Sequence, residues 1–222
     1  MAEEKKKKKR RVLDPNSAAY KLNQIVVNHY KGVQEAKDRG EKIGWCASNF
    51  PQEIFQTLGI KVCYPENQAA AIAARGAGER LCSEAESEGY SNDICAYARI
   101  SLAYTKLKDV KEQNMPQPDF LLCCNNICNC MIKWYESIAK KLNIPLILID
   151  IPFNPDYEVS DAQVAYIKSQ FIDAIKQLEK ITGKKWDDDK FKEVMKVSNR
   201  TSRAWLEATS YTKYQPSPLN GF

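Results

Sequence analysis

"PDFLLCCNNICNCMIKWYESIAKKLNIPLILID", residues 118–150, holds two continuous apolar runs, PDFLLCC and IPLILID, separated by the turn NNIC and an amphipathic stretch of helical length. Short apolar runs bounded by turn residues read as strands buried on both faces. A strand, a helix and a second strand in that order imply a right-handed crossover between parallel neighbours.

The same form recurs upstream. In "GWCASNFPQEIFQTLGI", residues 44–60, a strand through Trp45 and Cys46 meets a polar turn, with Pro51 just inside a helix start and Gly59 at its end. "IKVCYPENQAAAIAA", residues 60–74, predicts a strand from Ile60 to Tyr64, a break at Pro65 that leaves Glu66 in the turn, and an alanine-rich helix from near Asn67. An amphipathic entry helix over 16–39 carries Leu22, Ile25, Val26, His29, Tyr30 and Val33 at helical spacing and stops at Gly40. Residues 91–108 predict another helix, capped by Ser91 or Asn92, with Cys95 in its first turn. From Ser160 the capping box SDAQ opens a long helix closed by Gly183, and residues 187–210 form a second. The fold class is therefore α/β: a parallel-sheet, Rossmann-like domain with flanking helices and a helical C-terminal segment.

The formal net charge of +5 does not indicate a nucleic-acid-binding surface, because residues 1–11, "MAEEKKKKKRR", carry seven basic and two acidic side chains and leave the body near neutrality. Such a run repels itself and is read as a solvated tail. No stretch approaches the ~20 apolar residues of a membrane span, and no secretory h-region follows the tail. The expected location is cytoplasmic, without nucleic-acid or membrane partners. Eight cysteines in a reducing compartment are then buried small hydrophobes or thiolates holding a metal.

In an open parallel sheet, ligands bind at the carboxyl ends of the strands. Three turns qualify: CASNFP with Ser48, YPEN with Glu66, and CCNNIC with Cys128. Ser48 reads as a helix cap or a catalytic hydroxyl, and Glu66 as a first-turn dipole partner or a proton carrier. Helix N-termini stabilise thiolates, a position that suits Cys95 and Cys128 as iron or zinc ligands. Cys123 and Cys124 are adjacent on a strand and point to opposite faces, so at least one is core. Cys63 and Cys82 read as packing, Cys46 borders the Ser48 turn, and His29 reads as a packed ring. Cys128 and Cys130 form CxC, which meets neither zinc-finger nor ferredoxin spacing, so spacing alone leaves packing and metal binding both open.

Taken together, "GWCASNFPQE", "YPENQAA", "GYSNDICAYAR" and "PDFLLCCNNICN" resemble the 2-hydroxyacyl-CoA dehydratase family, related to the benzoyl-CoA reductases, and within it the N-terminal part of the substrate-bearing α subunit. The likeness runs from about residue 20 to "QPSPLNGF" at 215–222, a stretch that lies mid-chain in that family, ahead of a second α/β domain. It implies a tail over 1–15, a cluster- and substrate-binding domain over 16–156, a helical connection over 157–214, and the start of the second domain from 215. It implies a 4Fe-4S cluster ligated by Cys95 and Cys128, with a third cysteine outside this stretch. A β subunit would complete a heterodimer, and a separate ATP-dependent iron-sulfur activator would supply one electron. The implied reaction removes water from an (R)-2-hydroxyacyl-CoA through a ketyl radical, with Ser48 contacting the thioester and Glu66 assisting departure of the hydroxyl. Cys46 and Ala47 before Ser48 depart slightly from the family's polar turn, which bears on the fit of the acyl group. Two alternatives stand beside this reading: a benzoyl-CoA reductase-type subunit, and a non-catalytic thiol-rich scaffold or electron carrier.

Overall fold

The computed structural model describes residues 14–219. The basic run at 1–11 and the last three residues lie outside them. Four strands, β1 (Ile43–Cys46), β2 (Lys61–Cys63), β3 (Phe120–Cys124) and β4 (Leu146–Ile149), form one sheet in the order β2-β1-β3-β4, with every pair parallel. The chain steps from β1 outward to β2, then returns past β1 to lay down β3 and β4. Strand order thus reverses between β1 and β3, and the carboxyl ends of these two strands are where an open parallel sheet places its ligand crevice.

Alternation along the strands builds two cores. Trp45, Cys63, Leu121 and Cys123 enter one; Cys46, Val62, Phe120, Leu122 and Cys124 enter the other. The adjacent Cys123 and Cys124 therefore face opposite sides, and both are core. The first core is covered by α1 (Ala18–Asp38), α3 (Pro65–Ala74), α4 (Gly78–Ser87), α5 (Ala96–Leu107) and α6 (Asn129–Leu142). The second is covered by α2 (Gln52–Leu58) and α7 (Asp161–Thr182), with α8 (Asp188–Ser210) packed on α2. At seven residues α2 is too short to be stable alone. Its place depends on the burial of Ile54, Phe55 and Leu58, each worth about 1.5–3 kcal/mol.

Three boundaries differ from the sequence expectation. Helix α3 begins at Pro65 itself, because proline's fixed φ and missing N–H suit the first helical position; Glu66 thus sits in the first turn of α3 and not in a loop before it. Cys95 is the N-cap of α5 and not a first-turn residue, since Ser91 spends its hydroxyl on a local turn with the Asp93 N–H (3.1 Å). Pro51 is the N-cap of α2 and stands just outside the helix. The capping box at Ser160 and Gln163 forms as anticipated, and Gly183 closes α7 in the left-handed conformation. Among the described residues no helix is long and apolar enough to cross a membrane.

The close approach of β1 to β3 depends on Gly44. A Cβ there would stand 2.5 Å from Cε2 of the buried Phe120 ring, so Gly44→Ala overpacks the sheet. We expect a loss of about 1–3 kcal/mol, read as a lower midpoint in urea unfolding with an unchanged slope.

At the opposite end of these strands, Asp119 fastens α1 to the sheet. Its carboxylate accepts from Lys37 Nζ (2.8 Å), the Ile43 N–H (2.8 Å) and Lys42 Nζ (3.4 Å). Partial burial alone raises its pKa, but the hydrogen bonds from Lys37 and Ile43 and the charges of Lys37 and Lys42 outweigh it, and the folded-state pKa lies below the ordinary value. A depressed carboxylate pKa stabilises the fold above the unfolded-state pKa, and the contribution disappears as pH falls through the folded-state value. Asp119→Ala should therefore cost about 1–3 kcal/mol near pH 7 and progressively less below pH ~3.9, measured by denaturant unfolding at both pH values.

Candidate active site and thiol pair

The turn after β1 and the first turn of α3 meet at the crevice. The Ser48 N–H donates to Glu66 Oε2 and the Ser48 Oγ–H to Oε1, both at 2.9 Å, so the carboxylate is held at two points by one residue. Ser48 is exposed and Glu66 half-buried, which leaves the pair open to a ligand while its geometry stays defined. Across the switch point, Asn49 Nδ2 donates to Asn126 Oδ1 at 2.8 Å and ties the serine turn to the turn that follows β3. That second turn is fixed from its other side. Asn125 bonds the Asp150 carboxylate and accepts the Ile151 N–H (2.8 Å), and Tyr166 on α7 donates to the same carboxylate at 2.6 Å.

Cys128 caps α6 and Cys95 caps α5. Both are exposed and in the free thiol state, and neither uses its side chain to cap its helix. Two thiols that make no capping hydrogen bond thus stand at the positive ends of α5 and α6, helices that pack on each other. Cys130 reaches the backbone of Cys95 and feels both Cys95 and Cys128, while the Cys82 thiol donates to the Ala96 carbonyl at 3.8 Å. Both thiols thus lie beside the start of α5.

The remaining four cysteines are chemically quiet. Burial pushes the Cys63, Cys123 and Cys124 thiols up to about 12 and raises Cys46 well above its ordinary value. Cys46 packs beneath the Ser48 turn, its buried thiol donating to the Ala47 carbonyl at 3.2 Å. His29 is half-buried, with Nε2 3.0 Å from the Val62 carbonyl, and burial lowers its pKa, as for a packed ring. Among the described residues no three His, Cys, Asp or Glu side chains converge on one metal position. A groove of about 920 Å³ runs between α2 and α8, lined by Val194, Val197, Trp205 and Leu206. It contains none of Ser48, Glu66, Cys95 or Cys128, and we place the chemistry at the strand ends, where the polar groups converge.

Ser48 and Glu66 thus form one unit, while Cys95 and Cys128 stand at the N-termini of α5 and α6. The Asn49–Asn126 bridge joins the Ser48 turn to the turn that leads to Cys128. That bridge and the Asn125–Asp150–Tyr166 chain did not follow from the sequence reading. The Asn-Asn pair directly after an apolar strand was the available signal, because asparagine in turns bonds neighbouring backbone and side chains.

The family model described as 2-hydroxyglutaryl-CoA dehydratase, D-component, matches residues 47–222, a segment that includes Ser48, Glu66 and both exposed cysteines. The chain belongs to this family. It is 60% identical over 205 residues to the (R)-phenyllactyl-CoA dehydratase alpha subunit of Clostridium sporogenes, covering 92% of this chain and 50% of that protein. It is 41% identical to subunit alpha of (R)-2-hydroxyglutaryl-CoA dehydratase from Acidaminococcus fermentans, covering 90% of this chain and 57% of the relative. The (R)-2-hydroxyisocaproyl-CoA dehydratase alpha subunit of Clostridioides difficile is 49% identical over 202 residues, 90% of this chain and 50% of the relative. The dehydratase-family chain spans about half the length of the curated relatives it matches.

Proposed function

We propose that this chain supplies the substrate-bearing part of a 2-hydroxyacyl-CoA dehydratase α subunit, a lyase that removes water from a 2-hydroxyacyl-CoA to give the 2-enoyl-CoA. The two-point hydrogen bond between Ser48 and Glu66 at the switch point carries the proposal. A hydroxyl donor and a carboxylate within 3 Å of each other are what the elimination needs at its two ends. When substrate binds, the Ser48 Oγ–H leaves Glu66 Oε1 and donates instead to the thioester carbonyl, where it stabilises charge that develops on that oxygen. Glu66, held in place by the Ser48 N–H, carries the proton required by the departing hydroxyl.

Cys95 and Cys128 are the residues of this chain that would hold a 4Fe-4S cluster, with a third thiolate from beyond the stretch described. Such a cluster with an open iron supplies one-electron and Lewis-acid chemistry. The Asn49–Asn126 bridge would keep the thiol pair and the Ser48–Glu66 pair in fixed relation on one crevice. The relatives are named alpha subunits, which supports a β-subunit partner; an ATP-dependent activator belongs to the same proposal.

The relative at 60% identity is named for (R)-phenyllactyl-CoA, which makes that thioester the first to assay. Incubated anaerobically with the assembled subunits and the activator, it should yield the 2-enoyl-CoA and water. Reduction of benzoyl-CoA in place of this elimination would assign the chain to the reductase branch, and inertness toward both would favour the scaffold reading.

A further inference from the structure

Asp150 directly follows β4, and its carboxylate is engaged in two directions at once. It accepts from Asn125 Nδ2, in the turn after β3, and from the Tyr166 hydroxyl of α7 at 2.6 Å. Asn125 is bound to the same strand end twice more: its Oδ1 accepts the Ile151 N–H at 2.8 Å, and its own N–H donates to the Ile149 carbonyl at 3.4 Å. Asn126, the next residue, turns the other way and accepts from Asn49 Nδ2 at 2.8 Å, beside Ser48. Two adjacent asparagines thus suspend one turn between the end of β4 and the Ser48 turn.

Core packing does not anchor this turn. Cys124 is fully buried and so is Met131, but positions 125–130 between them contribute no fully buried side chain, and Asn126, Ile127 and Cys128 are exposed. Cys128 makes no capping hydrogen bond. A segment without core contacts is placed by its hydrogen bonds, and those to a carboxylate are the stronger ones. Only Ile127 separates Asn126 from Cys128, so a shift of the two asparagines carries the thiol with it. We propose that Asp150 is a positioning residue of the site: braced by Tyr166, it holds Asn125 and so sets where Cys128 stands relative to Ser48. The inference rests on the reading of Cys128 as a cluster ligand and adds the group that keeps this ligand in register with the Ser48–Glu66 pair. It brings the end of β4 and the first turns of α7 into a crevice otherwise built from the ends of β1, β2 and β3.

Asp150→Ala in the assembled enzyme tests this, with Asp119→Ala as the control, because Asp119 fastens the opposite end of the same sheet. Asp150→Ala should keep about four irons per subunit, lower kcat about 10-fold at nearly constant KM, and alter the EPR spectrum of the reduced cluster. Asp119→Ala should lower Tm while kcat, measured well below Tm, and the EPR spectrum stay parental. Tyr166→Phe deletes one hydroxyl from a partly exposed ring and spares the fold; it should lower kcat about 3-fold and change the EPR spectrum in the same direction. Parental kcat and EPR spectra in both Asp150→Ala and Tyr166→Phe would overturn the proposal. Equal falls in kcat in Asp150→Ala and Asp119→Ala would make Asp150 a structural residue and overturn it as well. A parent without iron would instead remove the reading of Cys128 and this inference with it.

Discussion

Glu66→Gln, in the chain assembled with its partner subunit, should lower kcat for dehydration by about 10²- to 10⁴-fold, the usual contribution of a positioned proton carrier. Glutamine keeps the shape of the side chain, and its carbonyl oxygen still accepts one of the two Ser48 donors. What disappears is the second acceptor and the ability to carry a proton. Because the pair lies at an accessible turn, the cost to folding should stay near 1 kcal/mol. KM should move little, since the carboxylate acts on the departing group and not on the bulk of the thioester. Ser48→Ala removes the donor at the other end and should lower kcat by about 10²- to 10³-fold. Steady-state kinetics on both variants checks the pattern; activity retained within a factor of about two in Glu66→Gln would deny the carboxylate its role.

The second large effect belongs to Cys128. Its thiol is exposed and makes no capping hydrogen bond, and its extended backbone (φ −141°, ψ 154°) is open to alanine. Cys128→Ala should therefore leave folding stability within about 0.5 kcal/mol of the parent, as for other exposed substitutions without partners. Iron binding and dehydration should nonetheless be lost almost completely, because a cluster depends on each of its thiolates. Cys123→Ala is the contrasting control. Cys123 is fully buried in the core behind the site, so its loss should cost about 1 kcal/mol of stability while iron is retained. Denaturant unfolding and iron analysis of the two variants separate a ligand from a packing thiol.

The fold was legible because its signals are local. Continuous apolar runs at 120–124 and 146–149 with a helix between them admit one arrangement, and the structure has it. That Cys123 and Cys124 enter opposite faces of the sheet follows from the pleat alone. Boundaries at proline were less legible: Pro65 reads equally well as a breaker before a helix or as its first residue, and only packing against the sheet decides. At the site, Ser48 and Glu66 were visible as separate candidates, since each stands in a turn at a strand's carboxyl end. Their direct contact was not, because it joins residues 18 positions apart through a sheet register that local patterns do not specify.

Iron and acid-labile sulfide, measured anaerobically on the chain assembled with its partner subunit, most directly test the division of the crevice into a proton-handling pair and a ligand pair. The parent and Glu66→Gln should each hold about four irons per subunit, and Cys128→Ala should hold little or none. A metal-free parent, or iron that persists unchanged in Cys128→Ala, would contradict the account.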